Sequence, residues 1–544
     1  MTKARDLSAG NLVTKGITSV TLGSNNLVAG STAGDSITSG GNGNTLLGTN
    51  AGTAVTTGDN NVSVGFNSLS NTTTSGANVA VGYQCMITNI TGAENTAIGY
   101  EALKFNTTGS YNTASGLMAL KANTTGLYNT ASGYNSLAAN TTGSENTAVG
   151  FQSLYSNTTG ASNTASGWKA LRNNTTASGN TSAGQGSMQN NTTGAQNIAM
   201  GNSALASNTT GNFNSSVGYL SLSSNTTGAA QTAVGNRALA ASTGSENTAV
   251  GYQALKSSVG ATSNTAIGYR SLDTNTTGNN NASVGHLSMY ANTTGLCNSA
   301  LGQVALRNNT TGQNNSGTGC RALFTNTTGG DNTASGYDSL GDNTTGTSNV
   351  AIGYEALSKN TTGGNNVAIG YRAGKTKTTG GSSVCIGNQA GGTEDTNSDF
   401  LYIARSNTGP GNAATWIYGN PSGACYQGNN SSSWTQTSDE RIKKNIVDSP
   451  NGLAKIDALQ VRNFNYRTEE EITVAGLTGC DAAGLQVGVI AQEIEVVLPT
   501  AVTENEQGMK QVNTDPIFWS MVKAIQELST QNAALSARIT ALEA

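Results

Sequence analysis

The stretch Asn95-Thr-Ala-Ile-Gly-Tyr-Glu-Ala-Leu-Lys-Phe-Asn-Thr-Thr-Gly-Ser-Tyr111 decides the fold, because it begins again, with substitutions, at Asn112 and Asn129. The period is 17 residues, and every copy carries a glycine five residues into the unit, from Gly48 to Gly387. Helical hairpins and propeller blades need about 33 to 50 residues per unit, whereas one coil of a β-solenoid fits the shorter period. The repeat therefore predicts a β-solenoid.

Each unit is interpreted as one coil. Asn-Thr-Ala-Ile before the glycine is predicted to be a short strand and Tyr-Glu-Ala-Leu after it a second strand. Asn-Thr-Thr-Gly is predicted to be a turn in which Asn and Gly adopt positive φ. The invariant glycine indicates a bend or a close backbone approach that excludes a Cβ. The copy that begins at Gln231 is one residue short within residues 240–244. This deletion falls in a turn, where it does least harm.

The substitutions predict which positions are buried. The position four residues after the glycine is Leu or Met in eighteen successive copies, from Leu69 to Leu357, which indicates a core ladder. The position before the glycine is mostly Val or Ile, with Ser in some copies. One or two large apolar side chains per coil form a thin core, because ordering the backbone costs about 1–2 kcal/mol per residue.

We therefore expect several chains around one axis, with Ala97 and Ala102 allowing their backbones to approach closely. At about 4.8 Å per coil, the rod would be roughly 100 Å long.

Composition excludes several classes of protein. The 544 residues include Gly 70, aromatic residues are 5% and charged residues 10%, which favours a fibrous β-structure over a globular or disordered chain. The net charge of -4 gives no basic footprint, so no nucleic-acid partner is expected. Neither an apolar leader after Met1 nor a run of about 18 apolar residues occurs, so neither Sec export nor membrane insertion is expected.

The six cysteines form no C-x-x-C pair. We therefore expect free thiols, with no disulfide framework, metal or cofactor.

Four segments are predicted. Residues 1–43 hold irregular copies of the repeat and form either a cap or an attachment segment, and residues 44–387 form the shaft. Residues 388–437 are expected to form a β-rich tip with two strands joined by a turn at residues 409–411. Residues 438–544, where charged residues and helix formers return, form a further domain.

Aromatic side chains among polar residues of the tip suit glycan or protein contact, and packing of the tip itself is the alternative. The candidate binding residues are Trp416, Tyr418, Tyr426 and Trp434.

Residues 516–544 carry a heptad pattern, which predicts a coiled coil. The a positions are Phe518, Ile525, Asn532 and Ile539, and the d positions are Met521, Leu528, Leu535 and Leu542. The Ile and Leu arrangement by itself favours two strands, while a polar Asn532 at an a position suits control of register.

Many Asn-x-Thr triplets match glycosylation acceptors, but without a secretory signal they are better explained as turn residues. Stacked Thr rows could instead bind ice. The row is interrupted near Ser242 and Ser257, and this alternative explains nothing about the C-terminus.

Two motifs near the C-terminus carry a family resemblance. Ser438-Asp-Glu-Arg-Ile-Lys-Lys-Asn-Ile446, then Gly488-Val-Ile-Ala-Gln-Glu493 and the heptads, resembles the C-terminal intramolecular chaperone domain of phage tailspikes and tail fibres. The Asn-Thr-Ala-Val-Gly units are similar to head repeats of trimeric autotransporter adhesins and to repeats in phage fibres. The resemblance to the chaperone domain implies a homotrimer whose C-terminal domain assembles first, templates the shaft and then cuts itself off. Residues Thr468 to Asp481 form a longer polar insert than the family usually has.

Ser438 and Lys443 fall on the positions of the family's Ser-Lys dyad, so the resemblance implies that they are catalytic. A lysine can accept the serine proton only when burial or nearby cations, such as Arg441 and Lys444, lower its pKa. Only self-cleavage is expected, without turnover of an external substrate.

The sequence therefore predicts a mainly β protein: a homotrimeric β-solenoid shaft followed by a small α+β chaperone domain that ends in a coiled coil. The expected function is that of a phage tail fibre, made in the host cytoplasm and present in the virion. Its expected partners are two further copies, a tail or baseplate protein at the N-terminus, and a host surface glycan or protein.

Two other functions remain open. A glycan-degrading tailspike is disfavoured because the shaft has few carboxylates and its single His286 occupies a variable position. A cellular surface adhesin is disfavoured because neither a signal peptide nor a terminal barrel anchor is evident.

Overall fold

The structure is a computed structural model that describes residues 23–391, 398–405, 415–419, 425–427, 449, 452–465, 467, 485–504 and 510–544. The chain divides into two compact units, Met1–Trp434 and Thr435–Ala544. Ser438, Lys443, Trp434 and the predicted turn and polar insert at residues 409–411 and 468–481 lie outside the described residues.

The first unit is built on a row of short strands, each followed by turns. Their bounds are β1 Leu27–Ala29, β2 Thr45–Leu47, β3 Val62–Val64, β4 Val79–Val81, β5 Thr96–Ile98, β6 Thr113–Ser115, β7 Thr130–Ser132, β8 Thr147–Val149, β9 Thr164–Ser166, β10 Thr181–Ala183, β11 Ile198–Met200, β12 Ser215–Val217, β13 Thr232–Val234, β14 Thr248–Val250, β15 Thr265–Ile267, β16 Ala282–Val284, β17 Ser299–Leu301, β18 Ser316–Thr318, β19 Thr333–Ser335, β20 Val350–Ile352, β21 Val367–Ile369 and β22 Val384–Ile386.

Consecutive strands pair in parallel, each residue facing its equivalent one coil further on, as Thr96 faces Thr113. The predicted β-solenoid is confirmed, and about 4.8 Å per coil gives it a length of roughly 100 Å. Among the described residues, pairing begins with β1, which lies in the segment predicted to be a cap or attachment segment and pairs with β2. Backbone hydrogen bonds also link the turns of successive coils, since the Leu103 amide donates to the Ala119 carbonyl at 2.9 Å.

Each coil contains one strand, so the prediction of a second strand at Tyr-Glu-Ala-Leu is wrong. Those residues form turns, and the second and fourth residues after the glycine have positive φ, 52° at both Glu101 and Leu103. Left-handed backbone costs an L-residue roughly 1–2 kcal/mol and is least tolerable for β-branched side chains. This explains why the core ladder uses Leu or Met and never Val or Ile.

The invariant glycine is required for both reasons that the sequence suggested. Gly99 has φ 139°, and a Cβ added there would lie 2.4 Å from the carbonyl oxygen of Gly116, its equivalent in the next coil. The same close approach recurs along the row, which we call the glycine row. Any side chain at these positions would push consecutive coils apart.

The core lies inside a single chain. The predicted Leu and Met ladder is fully buried, as at Leu103 and Leu120. Ala97 and Ala102 are also fully buried within their own coil, so the expectation that they allow chains to approach one another is wrong. The residue before the glycine instead points outward, and Ile98 is 45% exposed.

Two rows of buried amides run along the solenoid. In most units the first Asn donates to its equivalent one coil earlier, as Asn95 Nδ2 does to Asn78 Oδ1 at 3.2 Å. The Asn of the Asn-Thr-Thr-Gly turn does the same, with Asn106 Nδ2 at 2.8 Å from Asn89 Oδ1. Stacked amides satisfy one another without water, because the coil spacing matches hydrogen-bond length.

The turn predicted at Asn-Thr-Thr-Gly is confirmed, but the positive φ predicted for its Asn and Gly is wrong. Neither Asn106 nor Gly109 has positive φ; the positive φ of this turn belongs to Tyr111. Gly109 is required because a Cβ would lie 2.5 Å from both Asn106 Oδ1 and the Gly126 carbonyl oxygen. Thr107 also links consecutive coils, since its hydroxyl donates a hydrogen bond to the Thr124 carbonyl at 3.0 Å.

The short coil is repaired by a longer side chain. Gln231 replaces Asn in the first amide row, and its Nε2 donates to Asn225 Oδ1 of the second row at 3.0 Å. Ser242, which takes the place of Asn in the shortened turn, donates to Gln231 Oε1 at 2.7 Å. One glutamine thus bridges both rows where the deletion falls.

The solenoid sheet continues into three further strands, β23 Leu401–Ala404, β24 Thr415–Gly419 and β25 Cys425–Gln427. β23 pairs in parallel with β22, and β24 pairs antiparallel with both β23 and β25.

The second unit contains helices and two small antiparallel sheets. Its elements are α1 Gly452–Ala458, β26 Arg462–Phe464, β27 Gln486–Gly488, α2 Ala491–Val497, a 3-10 helix Pro499–Ala501, β28 Val502–Glu504, β29 Lys510–Val512 and α3 Thr514–Glu543. β26 pairs with β27 and β28 with β29. Ile494, Leu498 and Ala501 form the centre of its core.

Two glycines of one coil provide a matched test of the glycine row. Gly319 has φ 130°, and a Cβ there would meet the Gly336 carbonyl oxygen at 2.5 Å. We expect Gly319→Ala to lower the free energy of unfolding by roughly 1–3 kcal/mol from backbone strain alone, with the clash adding to this loss. Chemical denaturation followed by circular dichroism would measure it.

Gly317→Ala is the control, because Gly317 occupies the interior strand position that is Ala in most coils and its added Cβ would lie 3.4 Å from Leu306 Cδ1. It should raise stability by about 0.5–1 kcal/mol. Equal effects of the two substitutions would contradict the role of the glycine row.

Candidate functional site

The structure describes the four candidate binding residues of the tip to different extents. Trp416 lies in β24 and is 59% exposed, so it is not packed into a core. Tyr418 of β24 stands opposite Tyr402 of β23 on one side and Tyr426 of β25 on the other. The backbone register thus brings the positions of three of the four candidates onto two neighbouring strands.

Another aromatic residue of the tip, Tyr402, packs in the core, which was the alternative to a binding role. Tyr402 is buried at the end of the solenoid core, and its ring stacks on Phe400 with centroids 5.7 Å apart. The alternation along β23, with Tyr402 and Ala404 buried, was the available sequence signal for this role.

The second family motif, Gly488 to Glu493, joins β27 to α2 in the second unit. Glu493 forms a two-point ion pair with Arg462 of β26, with Nη2–Oε1 at 2.7 Å and Nε–Oε2 at 3.1 Å. These hydrogen bonds lower the pKa of Glu493 and raise that of Arg462. The last residue of the motif therefore links α2 to the β26–β27 sheet by an exposed ion pair.

A carboxylate joins α1 to α3. Glu527 of α3 accepts hydrogen bonds from the Gly452 amide at 3.0 Å and the Leu453 amide at 2.8 Å, the first two residues of α1. The free amides at a helix start favour a negative charge, and these bonds lower the pKa of Glu527. Gly452 allows the contact, since a Cβ there would lie 2.5 Å from the Ala524 amide nitrogen.

The predicted heptads lie on α3, a continuous helix of 30 residues that begins with Asn513 as N-cap. Within this chain the apolar heptad positions remain uncovered: Phe518, Met521, Ile525, Leu528, Leu535, Ile539 and Leu542 are all exposed. Asn532 lies among them on the same helix. The helix is confirmed, and its apolar positions have no covering residues from the part of the chain that the structure describes.

No cluster of His, Cys, Asp or Glu suited to a metal ion occurs among the described residues. In the same part of the chain, no helix is both long and apolar enough to cross a bilayer. Cys85, Cys297, Cys320 and Cys385 are free thiols. Burial raises the pKa of Cys85 to about 12 and that of Cys385 to about 11, which makes both unreactive.

Comparison with known families gives one match in the second unit. A family model described as chaperone of endosialidase matches residues 438–503. The matched segment contains both motifs, with Ser438 as its first residue, and includes α1, α2 and the β26–β27 sheet. α3 follows the matched segment.

The carboxylate of Glu527 predicts a pH-dependent contact between α1 and α3. Because folding lowers its pKa, Glu527 stabilises the contact above its unfolded pKa of about 4.5, and this contribution is lost as pH falls through the folded value. Glu527→Gln should speed amide exchange in α1 at neutral pH and weaken its pH dependence in that acidic window. Hydrogen–deuterium exchange would measure both effects.

Glu543→Gln, at the far end of the same helix, is the control and should leave exchange in α1 unchanged. Unchanged exchange in Glu527→Gln would show that the carboxylate does not hold the two helices together.

Proposed function

We propose that this chain is a phage tail fibre, a homotrimeric receptor-binding rod whose C-terminal domain templates trimer assembly and is then released by self-cleavage. Two findings support the proposal: the β-solenoid of the first unit, and the match of residues 438–503 to the chaperone of endosialidase family.

The observation that carries the trimer is an exposed face without charge. We call the outward first and third residues of β2 to β22 the strand face, and the residues that follow the glycine row the aromatic column. None of these positions holds Asp, Glu, Lys or Arg. Apolar members include Ile98, Val149, Ile267 and Ile352 in the strand face and Tyr100 in the aromatic column, each at least 40% exposed.

The charged residues of the solenoid instead lie elsewhere on each coil. Lys104, Lys121 and Glu101, for example, follow the glycine row by five or two residues and pair with one another. Contiguous apolar surface larger than a few hundred Å² marks interaction sites, and burial contributes about 25 cal/mol per Å². A face that stays uncharged along the whole solenoid is therefore suited to copies of the same chain.

Helix α3 supports the same assembly. Its exposed apolar heptads need partner helices, and identical parallel chains supply them in register. The strand face and the heptads of α3 could each be covered by further copies of the chain. The number three is what the resemblance to the chaperone domain of phage tailspikes implies.

Self-cleavage is the second part of the proposal. Ser438 and Lys443 lie on the family's dyad, and Ser438 begins the matched segment. The Ser438 hydroxyl would attack the carbonyl carbon of a neighbouring peptide bond while Lys443 accepts its proton and returns one to the leaving amine. Water would then hydrolyse the ester formed on Ser438, which separates the two fragments. A lysine is protonated in an unfolded chain, so cleavage waits until assembly makes Lys443 neutral. Removing the template would then leave the rod kinetically trapped.

Attachment completes the proposal. Residues 1–43 would join the rod to a tail or baseplate protein, and the tip around Trp416, Tyr418, Tyr426 and Trp434 would contact a host glycan or protein. The exposure of Trp416 supports this assignment. Synthesis in the host cytoplasm and a place in the virion follow from the same function.

A glycan-degrading enzyme has less support. Glycosidases need a carboxylic acid whose pKa is raised. The best-buried glutamates of the solenoid show the reverse: hydrogen bonds from Lys104 and Lys121 lower the pKa of Glu101, and hydrogen bonds from Lys375 and Arg372 lower that of Glu355.

The trimer can be tested on the strand face. Ile267→Glu combined with Ile352→Glu should reduce the yield of three-chain particles in light scattering, because each charge would be buried near two copies of itself. Ile90→Glu combined with Val259→Glu is the matched control, since these residues are exposed to a similar degree in the Asn-Thr-Thr-Gly turns. A monomeric wild type, or equal loss in both variants, would refute the interface.

Self-cleavage can be tested on denaturing gels. The wild type should give two bands, the smaller corresponding to the C-terminal segment cut off beside Ser438, whereas Ser438→Ala and Lys443→Ala should each give one full-length band and still form trimers. Two bands of unchanged mass from Ser438→Ala would assign the cut to a host protease instead.

A further inference from the structure

The face of the solenoid formed by the second and fifth residues after the glycine row carries a line of arginines and rings. We call Arg270, Tyr290, Arg307, Phe324 and Arg321 the arginine–aromatic cluster. Arg270 lies 4.7 Å and Arg307 5.8 Å from the centroid of the Tyr290 ring. Arg307 lies 5.7 Å and Arg321 4.5 Å from the centroid of the Phe324 ring. Three guanidinium groups and two rings therefore follow one another along the solenoid.

The two outer arginines each form an ion pair with an aspartate through Nε, whereas the central arginine differs. Arg270 Nε lies 2.6 Å from Asp273 Oδ2, and Arg321 Nε lies 2.9 Å from Asp338 Oδ1. Within the described part of the chain, Arg307 forms no salt bridge. Its guanidinium lies between the two rings, and no carboxylate among the described residues pairs with it.

The geometry points to an anion with carboxylate character. A guanidinium presents parallel N–H donors that match the two oxygens of a carboxylate. Here the rings of Tyr290 and Phe324 lie on both sides of Arg307 and restrict its side chain, so less conformational freedom is lost when a carboxylate binds.

The same contacts disfavour nucleic acid. Proteins bind single strands by stacking bases on free aromatic faces. In the cluster, the rings of Tyr290 and Phe324 are each contacted by two guanidinium groups, which compete for those faces.

An extended ligand fits better than a small one. Arg270 and Arg321 belong to coils three steps apart, about 14 Å along the solenoid axis. A linear polymer with regularly spaced negative charges can contact Arg307 and also approach the Nη groups of Arg270 and Arg321, which lie outside their Nε hydrogen bonds to Asp273 and Asp338. A single small acid cannot span this distance.

We propose that the arginine–aromatic cluster binds the carboxylate groups of an acidic polysaccharide lying along the solenoid, with Arg307 as the principal contact. The cluster lies outside the strand face and outside the tip. The inference goes beyond the proposed function and depends on neither the trimer nor self-cleavage.

The test measures binding of polygalacturonate, a polymer of carboxylate-bearing sugars, to the full chain by calorimetry at low ionic strength. The wild type should bind polygalacturonate and not neutral dextran, and affinity should fall as salt rises. Arg307→Gln should lower the affinity about tenfold, the scale of one charge-assisted hydrogen-bonded pair. The affinity of Arg307→Lys should lie between those of the wild type and Arg307→Gln, because lysine keeps the charge but lacks the planar guanidinium.

Arg237→Gln is the matched control. Arg237 occupies the same face two residues after its glycine, is exposed, and has neither a ring contact nor a salt bridge in the described structure. It should leave affinity unchanged within about twofold, since a solvated charge contributes little.

Three outcomes would overturn the proposal: affinity unchanged in Arg307→Gln, equal losses in Arg237→Gln and Arg307→Gln, or single-stranded poly(dT) bound as tightly as polygalacturonate. Circular dichroism establishes folding of each variant. If Arg307→Gln does not fold, Arg307→Lys decides, and full wild-type affinity in that variant would likewise overturn the proposal.

Discussion

The spacing between consecutive coils is the constraint on which the rest of the solenoid depends. Stacked backbones at about 4.8 Å leave no room for a Cβ at the glycine row, where a virtual Cβ at Gly99 would lie 2.4 Å from the next carbonyl oxygen. The same spacing is close enough for buried amides to hydrogen-bond from coil to coil, as Asn106 does with Asn89. A larger spacing would break the hydrogen bonds between amides of consecutive coils, and a buried hydrogen bond left unmade is costly. The glycine row and the amide rows thus require one another.

This constraint also explains how the fold absorbs a deletion. A coil shortened by one residue keeps its place in the sheet, with Thr232 opposite Thr248. The shortened coil lacks the amide of the second row, where Ser242 stands. Gln231 supplies a replacement, because its side chain hydrogen-bonds to both Asn225 and Ser242. The repair uses a side chain one methylene longer, and the spacing stays unchanged.

The surface of the coil is divided by chemistry. The strand face and the aromatic column carry no formal charge, while arginines and lysines lie on the turns that follow the glycine row. An uncharged face is suited to burial against other chains, whereas charged turns are suited to solvent and polar ligands. Assembly and polysaccharide binding, as proposed above, would therefore use different faces of the same coil. In the second unit, Glu493 and Glu527 join its helices and sheet through ion pairing and helix capping, contacts between residues far apart in sequence.

The sequence by itself determined the period, the solenoid, the need for glycine, the buried Leu and Met ladder, the terminal helix and the segment that matches the chaperone family, because each is a pattern of residue types along the chain. Of the predicted site, the sequence indicated a strand around Trp416 and left open whether its side chain is exposed or packed, while Ser438 and Lys443 fall outside the described residues. Only the tertiary structure decided that Ala97 lies inside its own coil, that Leu103 is left-handed, and that Arg307 stands between the rings of Tyr290 and Phe324. The physical reason is that the period shows which residue types recur but not whether each side chain points into the coil or outward. That direction depends on backbone angles, which are set by the contact of each coil with the next.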